Sequence, residues 1–178
     1  MKKILLVAAI SALFSTGMAC AKDYSSVVTI DGKVTTPGEG SCSVSVDKTA
    51  ISLSGITDEL TEQGASASNP ESLRIVVLGD LDCSSRIAKH QIAVKFVGDT
   101  VASDNTVLAN AVTDASAAEG VGIGFYDSAK NPAEINGAGV VVPETKYFDY
   151  GLGLVKLNGQ TPTSGNVHGT LTIDIERL

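Results

Sequence analysis

Ser26-Val27-Val28-Thr29-Ile30-Asp31-Gly32-Lys33-Val34 is a stretch that alternates. Ser26, Val28, Ile30, Gly32 and Val34 share one parity, while Thr29, Asp31, Lys33 and Thr35 share the other. Successive side chains of a strand point to opposite faces, so the pattern is that of a β-strand with one apolar face. A slip of one residue would turn Asp31 and Lys33 inward, so the register is strongly specified.

The same period continues downstream. Pro37-Gly38-Glu39-Gly40 punctuates the chain, and Cys42, Val44 and Val46 begin a second strand. Further strands are predicted over 50–56, 73–78 (leading to Cys83), 91–97, 121–126, 148–157 and 167–175. A polar loop is predicted over 57–70, and turns over 127–132 and at Asn136-Gly137. No segment holds a sustained helical period; the Ala-rich residues 106–118 are the one weak candidate. Many short strands at this spacing indicate an all-β sandwich. Neither an internal repeat nor a linker divides the chain.

Upstream of the first strand, Met1-Lys2-Lys3 is followed by an apolar run from Ile4 to Phe14, broken only by Ser11, and then by Ala19-Cys20-Ala21. A basic start, a short apolar run and small residues are the marks of an export signal, with cleavage expected after Ala21. The run is too short for a bilayer, which takes about 20 apolar residues. Cys20 could instead be lipidated, but Gly17 stands where that chemistry wants an apolar residue. Removing 1–21 takes away two lysines and no acids, leaving 157 residues with 11 basic and 20 acidic side chains, a net charge of −9. That is one domain, large enough for a core. Its charge repels nucleic acid and anionic lipid.

Two cysteines then remain, Cys42 and Cys83, 41 positions apart. An even pair in an exported chain reads as a disulfide, and the spacing does not fit zinc. His90 and His168 sit in no metal or nucleophile motif and read as exposed strand residues. Ser84 and Ser85 follow a cysteine without any feature that would activate them. Asp80 and Asp82 lack the other oxygen ligands of a calcium loop. Gly120, Gly122 and Gly124 alternate within a strand-like run, with no helix start or basic residue after them, and read as close packing rather than a phosphate loop. No catalytic site, metal or cofactor is indicated.

The carboxyl end mirrors the first strand. Val167, Gly169, Leu171, Ile173 and Ile175 alternate with Asn166, His168, Thr170, Thr172, Asp174 and Glu176, almost up to Leu178. Two terminal strands so close to the chain ends resemble the pilin subunits of chaperone–usher fimbriae, the type 1 pilin-like family. Val28 to Val34 followed by Cys42-Ser43-Val44 resembles the family's donor strand, its Gly-x-Val and its first cysteine. Cys83 falls where the second cysteine is expected. Val94-Lys95-Phe96-Val97-Gly98 and Gly120-Val121-Gly122-Ile123 with Asp127 are similar to further family blocks, and Gly165 is fourteenth from the end, as in the family. Arg177 departs from the penultimate tyrosine often found there.

The resemblance implies an incomplete immunoglobulin-like β-sandwich, completed by donor-strand exchange. It implies a signal peptide over 1–21, a donor-strand extension over 22–36 and a pilin domain over 37–178. Ser26, Val28, Ile30, Gly32 and Val34 would be the donor residues. Gly165, Val167, Leu171, Ile173 and Ile175 would edge the groove and bind a periplasmic chaperone. An outer-membrane usher and neighbouring subunits would be the other partners, and a surface fimbria supporting adhesion the destination. In an isolated chain the donor strand is expected to protrude, to lie loosely on the surface, or to fold back into its own groove. A minor adaptor or tip-associated pilin and a monomeric secreted binding module are the alternatives. A tip adhesin would need a lectin domain for which there is no room.

Overall fold

A computed structural model describes residues 26–32, 42–102 and 104–178. The strands are β1 (Ser26–Gly32), β2 (Cys42–Val46), β3 (Ala50–Leu53), β4 (Thr61–Glu62), β5 (Glu71–Gly79), β6 (Ile92–Gly98), β7 (Thr100–Val101), β8 (Asp104–Leu108), β9 (Val121–Tyr126), β10 (Val140–Val141), β11 (Tyr147–Lys156) and β12 (His168–Arg177). Among the described residues one helix, α1 (Leu81–Ala88), follows β5, and one 3-10 turn spans Thr57–Glu59. No described helix is long and apolar enough to cross a membrane.

The strands form two sheets, an immunoglobulin-like β-sandwich. One has the order β10-β6-β12-β1-β3; the other runs β2-β5-β11-β9-β8-β7, with β4 added beside β11. Val28, Ile30, Ile51, Leu53, Phe96, Leu171 and Ile173 of the first sheet share one buried cluster with Leu73, Ile75, Ile123, Phe125 and Leu152 of the second. The period of two seen in the sequence is what buries alternate residues. In β12, Gly169, Leu171 and Ile173 are buried, whereas Thr170 is exposed. Between the sheets Phe96 meets Phe125 and Tyr150 at centroid distances of 4.8 and 4.7 Å. In β9 the expected close packing is found: a Cβ on Gly122 would come within 2.6 Å of Val107 Cγ1 and 3.0 Å of the Leu108 carbonyl.

Three expectations need correction. Residues 81–88 are helical, although no helix is legible there. Asp80 caps α1 by accepting from the Cys83 amide at 2.9 Å, Asp82 pairs with Arg86 at 2.8 Å, and only Cys83 and Ile87 face the core. Those contacts also give Asp80 and Asp82 their roles. Residues 106–118, the weak helical candidate, are instead the end of β8 and a loop. Asn110 donates to the carbonyls of Ala118 and Asn166 and accepts from the Val112 and His168 amides, while Asp114 binds the amide and hydroxyl of Ser116. Such side chains offer the backbone an alternative to helix. His90 lies in the turn after α1 with φ +56°, not in a strand, and His168 is half-buried at the start of β12.

Cys42 and Cys83 are bonded, their Cα atoms 5.3 Å apart. The bond ties β2, at the edge of its sheet, to α1.

Candidate functional site, a groove between β3 and β12

β3 and β12 do not touch as neighbours; they are separated by the width of one strand, and β1 fills that gap. β1 runs parallel to β12, with Val27 opposite His168 and Gly32 opposite Ile173. It runs antiparallel to β3, with Ser26 opposite Leu53 and Thr29 opposite Ala50. The Val27 amide donates to the Val167 carbonyl at 3.1 Å, and the Ile30 amide to the Thr49 carbonyl at 2.9 Å. β1 is therefore an interior strand, hydrogen-bonded on both sides. Of the three placements expected for it, the structure shows the third: it neither protrudes nor lies loosely, but occupies its own groove.

The parity read from the sequence is the one that is buried. Val28 and Ile30 are 0 and 2 % exposed, and Ser26 is 4 % exposed. Val27 and Thr29 on the other face are half-buried. Full burial of an aliphatic side chain contributes about 1.5–3 kcal/mol, so Val28 and Ile30 are the main apolar anchors. The backbone of Gly32 lies beside Ile173. Val34 lies outside the described residues.

On the other wall, Leu171 and Ile173 are fully buried and Val167 is 2 % exposed. Ile175 is half-buried and pairs with Val94 of β6, two residues beyond the last described pairing of β12 with β1. Gly165 stands in the loop before β12, where a Cβ would collide with the backbone of Ala117 and Ala118. The structure thus brings Ser26, Val28, Ile30, Val167, Leu171 and Ile173 together, and leaves Gly165 and Ile175 at opposite ends of the groove.

The inward-facing residues Ser26, Val28, Ile30, Val167, Leu171 and Ile173 carry no charged group. The shifted titrations lie elsewhere. Burial, then the charge of Asp104, pushes Tyr126 up to about 12. Burial, then Asp127, does the same for Tyr150. Burial raises Asp104, but hydrogen bonds from Thr106 and Gln63 outweigh it and leave the carboxyl below its usual range. Among the described residues there is no group of three or more His, Cys, Asp or Glu able to hold a metal.

Sequence reasoning missed one feature, a cavity of about 220 Å³ where β1 enters the groove. Its lining comes from β1, the 54–60 segment, β9, β11 and the loop before β12, and nothing in local periodicity brings those segments together.

The family model described as fimbrial protein matches residues 28–176, beginning inside β1 and ending inside β12. Long polar fimbria protein A of Salmonella typhimurium (strain LT2) is 29 % identical over 138 residues, 76 % of this chain and 73 % of that protein. The crystal structure of the P pilus rod subunit PapA superposes with a TM-score of 0.55 at 17 % identity, covering 83 % of this chain and all of that one. With the match to the family model extending over most of the sequence, the chain belongs to the fimbrial protein family, as a structural, non-enzymatic subunit that polymerises with other pilins in a cell-surface fimbria.

Proposed function

We propose that the subunits join by donor-strand exchange, with Ser26, Val28, Ile30, Gly32 and Val34 of one copy entering the groove between β3 and β12 of the next. On this reading residues 22–36 are the extension and 37–178 the domain that receives it. The observation that carries it is the position of β1. An interior strand supplied by the extreme amino-terminal end of the described chain is one that a second copy can supply equally well. Without it, β3 and β12 present unpaired backbone edges over an apolar floor, which aggregate unless covered. A periplasmic chaperone would cover them by adding a strand of its own along the edge formed by Gly165, Val167, Leu171, Ile173 and Ile175. An outer-membrane usher would then exchange that strand for the next subunit's, after export directed by residues 1–21. A head-to-tail contact that does not close makes a filament.

Gly32→Asn tests the exchange. An amide side chain in the row of Val28 and Ile30 would bury unpaired polar groups in the neighbour's groove. Chaperone complexes, which use the groove and not the tail, should still form. Fibres should be absent or should dissociate in warm detergent. Fibres as detergent-resistant as the wild type would show the donor register to be wrong.

A further inference from the structure

At its amino-terminal end β12 outruns β6. The last pairing between those two strands sets Leu171 opposite Gly98, whereas β1 pairs with β12 from His168 onward. From His168 to Thr170, β12 therefore borders the groove on one side and has run past β6 on the other. Neighbouring residues of a strand aim their backbone groups to opposite sides. The Val167 carbonyl points into the groove and accepts from the Val27 amide at 3.1 Å. The backbone groups of Asn166 and His168 point away from it, toward the loop after β8.

In that loop the side chain of Asn110 stands where β6 would continue. Its Nδ2 donates to the Asn166 carbonyl at 3.0 Å and to the Ala118 carbonyl at 3.1 Å. Its Oδ1 accepts from the His168 amide at 3.0 Å and from the Val112 amide at 3.1 Å. An amide side chain offers two donors and two acceptor positions, and all are used. Beside it the Ala111 amide donates to the His168 carbonyl at 2.8 Å, and the Asn166 amide to the Ser116 carbonyl at 2.7 Å. Gly165 permits so close an approach, since a Cβ there would collide with the backbone of Ala117 and Ala118.

We propose that Asn110 is a positioning residue that sets where the groove begins. By holding Asn166 and His168 from behind, it keeps the chain extended past the end of β6 and the Val167 carbonyl turned toward the strand in the groove. Without it the supported edge would start nearer Leu171, and the Val27 end of β1 would lose its partner. The positioning stands on contacts within this chain. Only its consequence for a second copy's strand, which Asn110 would help to hold, rests on the exchange reading above.

Deuterium uptake at single backbone amides of the purified exported chain, followed by NMR, tests the positioning. Asn110→Asp keeps the shape but has only acceptors, which face the Asn166 and Ala118 carbonyls. Loss of both donors should speed uptake at Val27 at least about tenfold. Uptake should change less at Ile30, whose amide donates to the Thr49 carbonyl on the β3 side at 2.9 Å. It should not change at Val77, whose amide donates to the Lys146 carbonyl in the other sheet at 2.8 Å. Unaltered uptake at Val27 overturns the proposal, and so does an equal rise at Val77, which would make Asn110 a support of the whole fold. If the variant does not fold, the wild-type chain decides: the Nδ2 protons of Asn110 should outlast those of the exposed Asn158 in deuterium, and equal loss overturns the proposal. Fibres of Asn110→Asp should dissociate in detergent at a lower temperature than wild type. Unaltered fibres beside a faster Val27 would overturn the part of Asn110 in assembly. Gly32→Asn fibres as resistant as wild type would instead strike the exchange reading and leave the Val27 comparison standing.

Discussion

Tyr150 stacks on Phe125 with centroids 4.7 Å apart and rings 12° from parallel, and meets Phe96 edge-on. Its phenol and that of Tyr126 are held at about 12, first by burial and then by Asp127 and Asp104 respectively. An unfolded tyrosine titrates near 10. The folded chain therefore keeps two protons that the unfolded chain releases once the pH passes 10. Their contribution to stability is whole below pH 10 and is lost as the pH rises through 12. Melting temperature followed by circular dichroism should fall between pH 10 and 12, and the Tyr126→Phe/Tyr150→Phe double variant should fall less. Equal losses in the two chains would refute this. The Arg74–Asp149 pair works the other way, its hydrogen bond holding the Asp149 carboxyl below its usual range. Both partners are exposed, so the pair adds little. None of these shifts was legible in the sequence, because each depends on a neighbour brought in by folding.

At the scale of elements, α1 and the strands differ in how openly they are written. β12 spans ten residues and β5 nine, so each repeats its period several times. α1 has eight residues, of which Cys83 and Ile87 are the only buried ones. Two positions four apart are one repeat of a helical pattern, too short to stand out, and so short a helix is held by its surroundings rather than by propensity. Here they are the Asp80 cap and the bond to Cys42. Asp80→Ala should cost about 1 kcal/mol, and loss of the disulfide, which closes a separation of 41 residues, about 4 kcal/mol. Urea unfolding of the two altered chains gives both numbers. A reduced chain with an unchanged midpoint would mean that the bond is not a structural tie.

For the whole molecule, the groove divides core from contact surface along a single strand. Ile173 is fully buried and pairs with Gly32, whereas Ile175 is half-buried two residues beyond that last described pair. Ile173→Asp sets an unpaired carboxylate among aliphatic side chains and should prevent folding. Ile175→Asp should fold, because its side chain already reaches solvent, but should no longer co-purify with the chaperone that the proposed function calls for. Periplasmic abundance and affinity capture separate the two. Undiminished capture of the Ile175→Asp chain would remove that end of β12 from the chaperone contact.

The sequence alone determined the all-β class, most of the long strands, the inward face of β1 and the cysteine pair. These rest on local facts: strands repeat every two residues, and two cysteines in an exported chain have one partner each. Only the tertiary structure decided where β1 lies. Its pairing with β12 joins Val27 to His168, residues from opposite ends of the chain, and periodicity carries no information about partners at that distance. The cavity, the loop held by Asn110 and the raised phenols of Tyr126 and Tyr150 follow from the same cause: each is made by side chains that meet only after the two sheets have closed on one another.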